Sequence, residues 1–105
     1  MEVKSTEEGL LARLTGEIDH HSAAYIRAEI DGELRRLRPE RLILDFGGVT
    51  FMDSSGVGLV MGRYRVLSEW GGRIVIRNLP PPLKRVMRLS GIGRIAVVEE
   101  NSKGA

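Results

Sequence analysis

The sequence predicts one α/β domain with a mixed, mainly parallel sheet, an antiparallel hairpin at its N-terminus and helices that cross between strands. Apolar residues at the two-residue spacing of strands alternate along the chain with apolar residues at the three- and four-residue spacing of helices. The chain has 105 residues, of which 42% are hydrophobic, which suffices for a single core. Alternating strands and helices are typical of parallel sheets with right-handed crossovers.

The first two strands are predicted to form the hairpin. Leu10, Ala12 and Leu14 alternate with residues of a second face, which is the period of a strand, and residues 2–5 are expected to pair with them. A helix is then predicted over about residues 21–37, since apolar side chains recur at threes and fours until a proline ends the pattern. These side chains are Ala23, Ile26, Ile30, Leu34 and Leu37.

The remaining elements continue the alternation. The nearly unbroken apolar run over residues 42–46 predicts a central strand buried on both faces, followed by two glycines. A second helix is expected over residues 54–70, and a glycine pair ends it before a strand at residues 73–77. Three prolines open a third helix, and a last strand covers residues 95–98. The final residues, about 100–105, are predicted to be a disordered tail.

Composition narrows the classes of function. The chain has no cysteine, which excludes disulfides and thiolate metal sites, and no apolar run reaches the roughly 18 residues of a membrane span. Its N-terminus lacks the pattern of a signal peptide. Sixteen basic residues interleave with fourteen acidic ones and form no block, and aromatic residues for base stacking are few. We therefore expect a cytoplasmic protein without a nucleic-acid or membrane partner.

The segment over residues 51–58 joins the central strand to the second helix, where ligands of open α/β sheets gather. Asp53 is the expected N-cap, because a carboxylate there accepts hydrogen bonds from the free amides of the first turn. Ser54 and Ser55 then occupy the first helical positions. Both hydroxyls are expected near the positive end of the helix dipole.

A helical wheel at about 100° per residue divides the second helix into two faces. One apolar set is predicted to face the sheet: Val57, Val60, Met61, Tyr64 and Leu67. The other side is predicted to face outward with Ser55 and contains Leu59, Gly62, Val66 and Trp70, with Gly58 near its edge. Small and apolar residues on an outward face indicate a partner that packs closely. Alternatively, the glycines let the helix approach a neighbouring part of its own fold.

Two segments carry a resemblance to a known family. Residues 14–21, LTGEIDHH, and residues 51–58, FMDSSGVG, together with Gly62-Arg63-Tyr64, resemble the STAS (sulfate transporter and anti-sigma antagonist) family, and in particular its anti-sigma factor antagonists. The resemblance covers nearly the whole chain and implies one STAS domain over residues 1–105. Valine at position 57 is a minor departure from the family pattern.

The resemblance implies a regulatory switch, not an enzyme. In this family the unphosphorylated antagonist binds an anti-sigma factor that is also a serine kinase carrying ATP, and thereby frees a sigma factor that it does not itself bind. The kinase phosphorylates the serine immediately before glycine, which corresponds to Ser55, and a serine phosphatase reverses the step. Asp19 would belong to the partner surface. We expect that surface to include Met52, Ser54, Ser55, Gly56, Gly58, Leu59, Gly62 and Val66, with no cofactor or metal.

Other functions fit the residues less well. A serine hydrolase would have to use His20 or His21 as its base, and the Gly-x-Ser-x-Gly pattern is absent. Zinc at these histidines is disfavoured because adjacent residues on a helix diverge by about 100°. Two alternatives stay open: a nucleotide-binding STAS module, since a helix N-terminus with Gly56 and Gly58 accepts phosphates, and a STAS subunit of a stress-response or lipid-transport system.

Overall fold

The computed structural model describes residues 1–99, which form a five-stranded sheet flanked by helices. The strands are β1 (Glu2–Thr6), β2 (Gly9–Ile18), β3 (Arg41–Met52), β4 (Arg73–Arg77) and β5 (Ala96–Val98). The helices are α1 (His20–Leu37), α2 (Ser54–Ser68) and α3 (Pro81–Leu89), and a 3₁₀ turn covers Ile92–Arg94. The predicted fold class is confirmed. The predicted disordered tail at about 100–105 lies outside the described residues.

The strands lie side by side in the order of the chain. β1 pairs with β2 in antiparallel orientation, and every later neighbour is parallel. Because each parallel step advances in the same direction, right-handed crossovers carry the connecting helices over the same face of the sheet. The main core lies there, where α1 contributes Ile26 and Ile30, α2 contributes Val60 and Leu67, and the strands contribute every second residue.

The opposite face of the sheet carries a smaller apolar cluster of Leu11, Ile43 and Val75. Ion pairs flank this cluster. Arg77 Nε donates to Glu99 Oε1 at 2.8 Å, and Arg77 Nη2 donates to Glu8 Oε2 at 3.0 Å. The hydrogen bond from Arg77 lowers the pKa of Glu99, against a smaller opposing effect of desolvation. Arg77 thus ties the turn of the N-terminal hairpin to the residue that follows β5.

β3 is longer than predicted. The strand was expected to end at Phe46, before two glycines, but it continues to Met52. From Arg13 to Ile18 β2 advances five residues, while β3 advances seven, from Asp45 to Met52, so β3 holds two extra residues as bulges. At the first bulge Gly48 allows close packing, because a Cβ there would lie 2.8 Å from Thr15 Cγ2. The glycines mark a bulge within the strand and not its end.

Candidate functional site

The ends of β2 and β3 place the N-termini of α1 and α2 side by side. Ile18 pairs with Met52, and the backbone N–H of Asp53 donates to the carbonyl of Ile18 at 3.2 Å. Each strand leads at once through one aspartate into its helix: Asp19 precedes α1, and Asp53 precedes α2. Two helix dipoles therefore direct their positive ends to the same edge of the sheet.

Both aspartates are N-caps. Asp19 Oδ1 accepts from the backbone N–H of Ser22, and the Ser22 hydroxyl accepts from the backbone N–H of Asp19, each at 2.9 Å, which is a reciprocal capping box. The backbone hydrogen bond from Ser22 is the main reason that the pKa of Asp19 lies below its ordinary value. Asp53 Oδ1 accepts from the backbone N–H of Ser55 at 2.8 Å, so the second cap lies where the sequence predicts it.

The two serines differ in their surroundings. Ser54 is exposed at the first position of α2, whereas Ser55 is half-buried at the second. Ser55 lines a groove between α1 and α2. A group attached to the Ser55 side chain would therefore lie both beside a helix N-terminus and at this groove.

The groove has a volume of about 520 Å³ and combines small side chains with basic ones. The small residues are Ala23, Ala24, Gly58 and Gly62, and the basic residues are His20, Arg27, Arg63 and Arg65. A Cβ added to Gly58 or Gly62 would meet no atom within 4 Å in the described part of the chain. These glycines therefore leave space open, and the alternative that they allow close packing within the fold is wrong for residues 1–99.

Arg63 is an unusual member of the groove wall because it is only 4% exposed. Its Nε forms an ion pair with Asp31 Oδ1 of α1 at 2.8 Å, and within residues 1–99 Arg63 Nη1 has no acceptor. Burial lowers the pKa of Arg63, Asp31 opposes this shift, and the like charge of Arg27 adds to it. The wall thus contains a desolvated cation with unused donors.

The predicted orientation of α2 is wrong. Leu59 and Val66, expected on the outward face, are 4% and 9% exposed and belong to the main core, whereas Met61 and Tyr64, expected against the sheet, are exposed. The helix is rotated by about a quarter turn from the prediction. The prediction differs from the structure because Arg63, a charged residue, lies at the centre of the buried face of α2. Its ion pair with Asp31 stabilises the charge there.

Two further residues of the expected partner surface are internal. Met52 is 6% exposed, and Gly56 is buried. Gly56 packs so closely on the Met52 side chain that a Cβ at position 56 would overlap it. Trp70, expected outward, is half-buried with its Nε1 donating to the Pro39 carbonyl at 2.8 Å. The buried members of the predicted surface therefore belong to the packing beneath the site: Leu59, Val66, Met52 and Gly56. The accessible members of the predicted surface are Asp19, Ser54, Ser55, Gly58 and Gly62.

Sequence reasoning missed the basic side of the groove. Neither Arg27 nor Arg65 is singled out by the sequence pattern, and the packing of α1 on α2 brings both to the groove that Ser55 lines. A signal for Arg63 was present in the sequence. An arginine surrounded by apolar residues three and four positions away on both sides indicates a buried, paired charge.

In the described part of the chain, the side chains that metal binding or serine activation would use are not brought together. Among residues 1–99 no group of three or more histidine, aspartate or glutamate side chains is arranged to hold a metal ion. In the same part of the chain no hydrogen bond joins Ser54 or Ser55 to either histidine, and the two imidazole rings lie edge to face, 5.8 Å apart.

None of the helices over residues 1–99 has the length and hydropathy that crossing a membrane requires.

Comparison with known proteins agrees with the resemblance inferred from the sequence. The STAS domain model matches residues 1–105. An anti-sigma F factor antagonist of Lysinibacillus sphaericus is 42% identical over 88 residues, which are 84% of this chain and 75% of the relative. The structure of the anti-sigma factor antagonist SpoIIAA in its unphosphorylated form matches with a TM-score of 0.76 and 33% identity, covering 98% of this chain and 90% of that one. The structure of the Bacillus cell fate determinant SpoIIAA in the phosphorylated form matches with a TM-score of 0.74 and 36% identity. The match covers 98% of this chain and 94% of that one.

The observed orientation of α2 predicts a large difference between two truncations on the same helix. Leu59→Ala should lower the free energy of unfolding by about 2–5 kcal/mol, because it removes buried methyl groups and leaves a cavity. Met61→Ala, in which the truncated side chain is exposed, should change it by no more than about 0.5 kcal/mol. Urea unfolding of both variants measures the difference. Equal effects, or a larger effect at Met61, would restore the orientation expected from the wheel.

Proposed function

Because the chain belongs to the STAS domain family, we propose that it is a cytoplasmic anti-sigma factor antagonist that is switched by phosphorylation of Ser55. The observation that carries the proposal is the position of Ser55, which is second in α2, lines the groove between two helices and follows an aspartate cap. Relatives of 34% and 42% identity are named anti-sigma F factor antagonists, which supports the assignment of the partner class.

The proposed cycle has two partners that act on the chain directly. The unphosphorylated protein binds an ATP-bound anti-sigma factor with serine kinase activity and so releases the sigma factor, which is affected only indirectly. The kinase phosphorylates Ser55 in the complex, and a serine phosphatase regenerates the active form. The chain itself catalyses nothing in this cycle. The proposed contact surface comprises the accessible residues at the helix N-termini and groove: Asp19, Ser54, Ser55, Gly58 and Gly62.

The physical chemistry of Ser55 suits a switch that acts on binding and not on folding. A phosphoserine carries about −1.5 to −2 charges at neutral pH, and an exposed anion at a helix N-terminus is favourable by about 0.3–1 kcal/mol. The same group buried in an interface without a cation loses hydration at a cost of several kcal/mol, and Asp53 adds like-charge repulsion. A swing from almost fully bound to almost fully free needs about 5.5 kcal/mol. The similarity of this chain to both forms of SpoIIAA supports a conserved fold.

The choice of Ser55 over Ser54 is tested by separate substitutions. Incubation with the cognate anti-sigma kinase and ATP should label the wild-type chain and Ser54→Ala, whereas Ser55→Ala should remain unlabelled, since only Ser55 lines the groove. Mass spectrometry of tryptic peptides locates the phosphate. Labelling of Ser55→Ala at Ser54 would show that the acceptor is the other hydroxyl, and no labelling of the wild type would contradict the kinase cycle.

The open space above Gly62 predicts an effect on binding that is separate from stability. Gly62→Leu should raise the free energy of unfolding by several tenths of a kcal/mol, because leucine favours a helix and its Cβ meets no described atom within 4 Å, but it should weaken kinase binding at least tenfold by filling the groove. Gly32→Leu in α1 is the matched control. Gly32 also lies in open space but outside the groove, so its substitution should stabilise similarly without affecting affinity.

Urea midpoints and calorimetric titration with the kinase measure both quantities. If Gly62→Leu, Gly32→Leu and the wild type bind the kinase with equal affinity, the groove is not part of the surface that contacts the kinase.

A further inference from the structure

The ionisable residues that line the groove between α1 and α2 are all basic. Its ionisable lining residues are His20, Arg27, Arg63 and Arg65, without any carboxylate among them. Within residues 1–99 only Arg63 of the three arginines has a carboxylate partner, Asp31, and its Nη1 still lacks an acceptor. Arg27 and Arg65 are exposed. Three guanidinium groups around one groove repel each other and are stabilised by an anion placed between them.

We propose that this groove receives an acidic segment of the anti-sigma kinase, whose carboxylate is held by Arg27 and Arg65 with the buried Arg63 behind them. The inference rests on the proposed function and specifies the chemistry of its partner. The small residues Ala23, Ala24, Gly58 and Gly62 let a peptide approach both helices closely. Guanidinium groups present paired donors that match a carboxylate, and such charge-assisted hydrogen bonds are strengthened where water is excluded.

A protein carboxylate fits the groove better than a nucleotide. Phosphate sites of nucleotide-binding folds use backbone amides of glycine-rich turns, whereas Gly58 and Gly62 lie inside α2, beyond the first-turn amides that remain free. The lining also contains no tryptophan, tyrosine or phenylalanine on which a base would stack. The groove therefore offers cations and close approach without a site for a base.

The position of Ser55 at the same groove gives phosphorylation a direct effect on this contact. A phosphate on Ser55 would place a dianion beside the groove that the partner's carboxylate is to enter. The two anions repel each other and compete for the same guanidinium groups.

Charge reversal tests the inference in the complete chain. Arg27→Glu should weaken binding of the cognate anti-sigma kinase at least tenfold, mainly through slower association, and should flatten the dependence of affinity on salt. Arg85→Glu on α3 is the control, since Arg85 is exposed, lies outside the groove and undergoes the same change of charge. It should leave affinity within twofold of the wild type. Thermal midpoints of both variants should equal that of the wild type, which separates binding from folding.

A charge-conserving variant identifies the partner group. Arg27→Lys places an amine at the groove, and a water-soluble carbodiimide should join it by an amide bond, with loss of water, to an aspartate or glutamate of the kinase. Peptide mapping by mass spectrometry should find this cross-link in the Arg27→Lys complex and not in Arg85→Lys. The cross-link should disappear when Ser55 is phosphorylated.

The outcomes are distinguishable. If the wild type binds the kinase and Arg27→Glu binds within twofold of it, the groove does not hold an acidic segment, while the proposed function stands. If the wild type fails to bind the kinase, both are overturned. Calorimetric binding of ATP alone to the free chain that is lost in Arg27→Glu would assign the groove to a nucleotide and overturn the inference.

Discussion

The register of β2 against β3 is the constraint on which the site depends. The hydrogen bond from the Asp53 amide to the Ile18 carbonyl fixes the two strand ends at the same level, so that α1 and α2 begin side by side. The two bulges in β3 are part of this alignment, since without them β3 would end two residues away from its place beside Ile18. A slip of one residue would also turn every buried side chain of the strand to the other face.

The packing of α2 separates a structural side from an accessible one. Leu59, Val66 and the Asp31–Arg63 pair anchor the helix, and the half-buried Ser55 lies at the groove beside this anchored side. Gly58 and Gly62 each cost about 1 kcal/mol of helix propensity relative to alanine, and no described atom needs the space that they leave. Such a cost without an internal packing reason is typical of a surface shaped for a partner.

The sequence was sufficient for the element order, the sheet type, the capping role of Asp53 and the family. It failed where tertiary contacts override local pattern. Gly47 and Gly48 resemble the end of a strand, but pairing with β2 continues the strand through them. The wheel placed Leu59 and Val66 on the outward face because it left out Arg63, whose burial depends on Asp31 of another helix. The groove itself depends on the placement of two helices, which no local pattern encodes.

Displacement of the sigma factor tests the proposed switch at Ser55 directly. A preformed complex of the anti-sigma kinase with its sigma factor is titrated with the unmodified chain, or with the chain phosphorylated at Ser55, and free sigma factor is measured by size-exclusion chromatography. We expect the unmodified chain to release the sigma factor and the phosphorylated chain to release none at the same concentration. Equal release by both forms, or no release by either, would contradict the proposed switch.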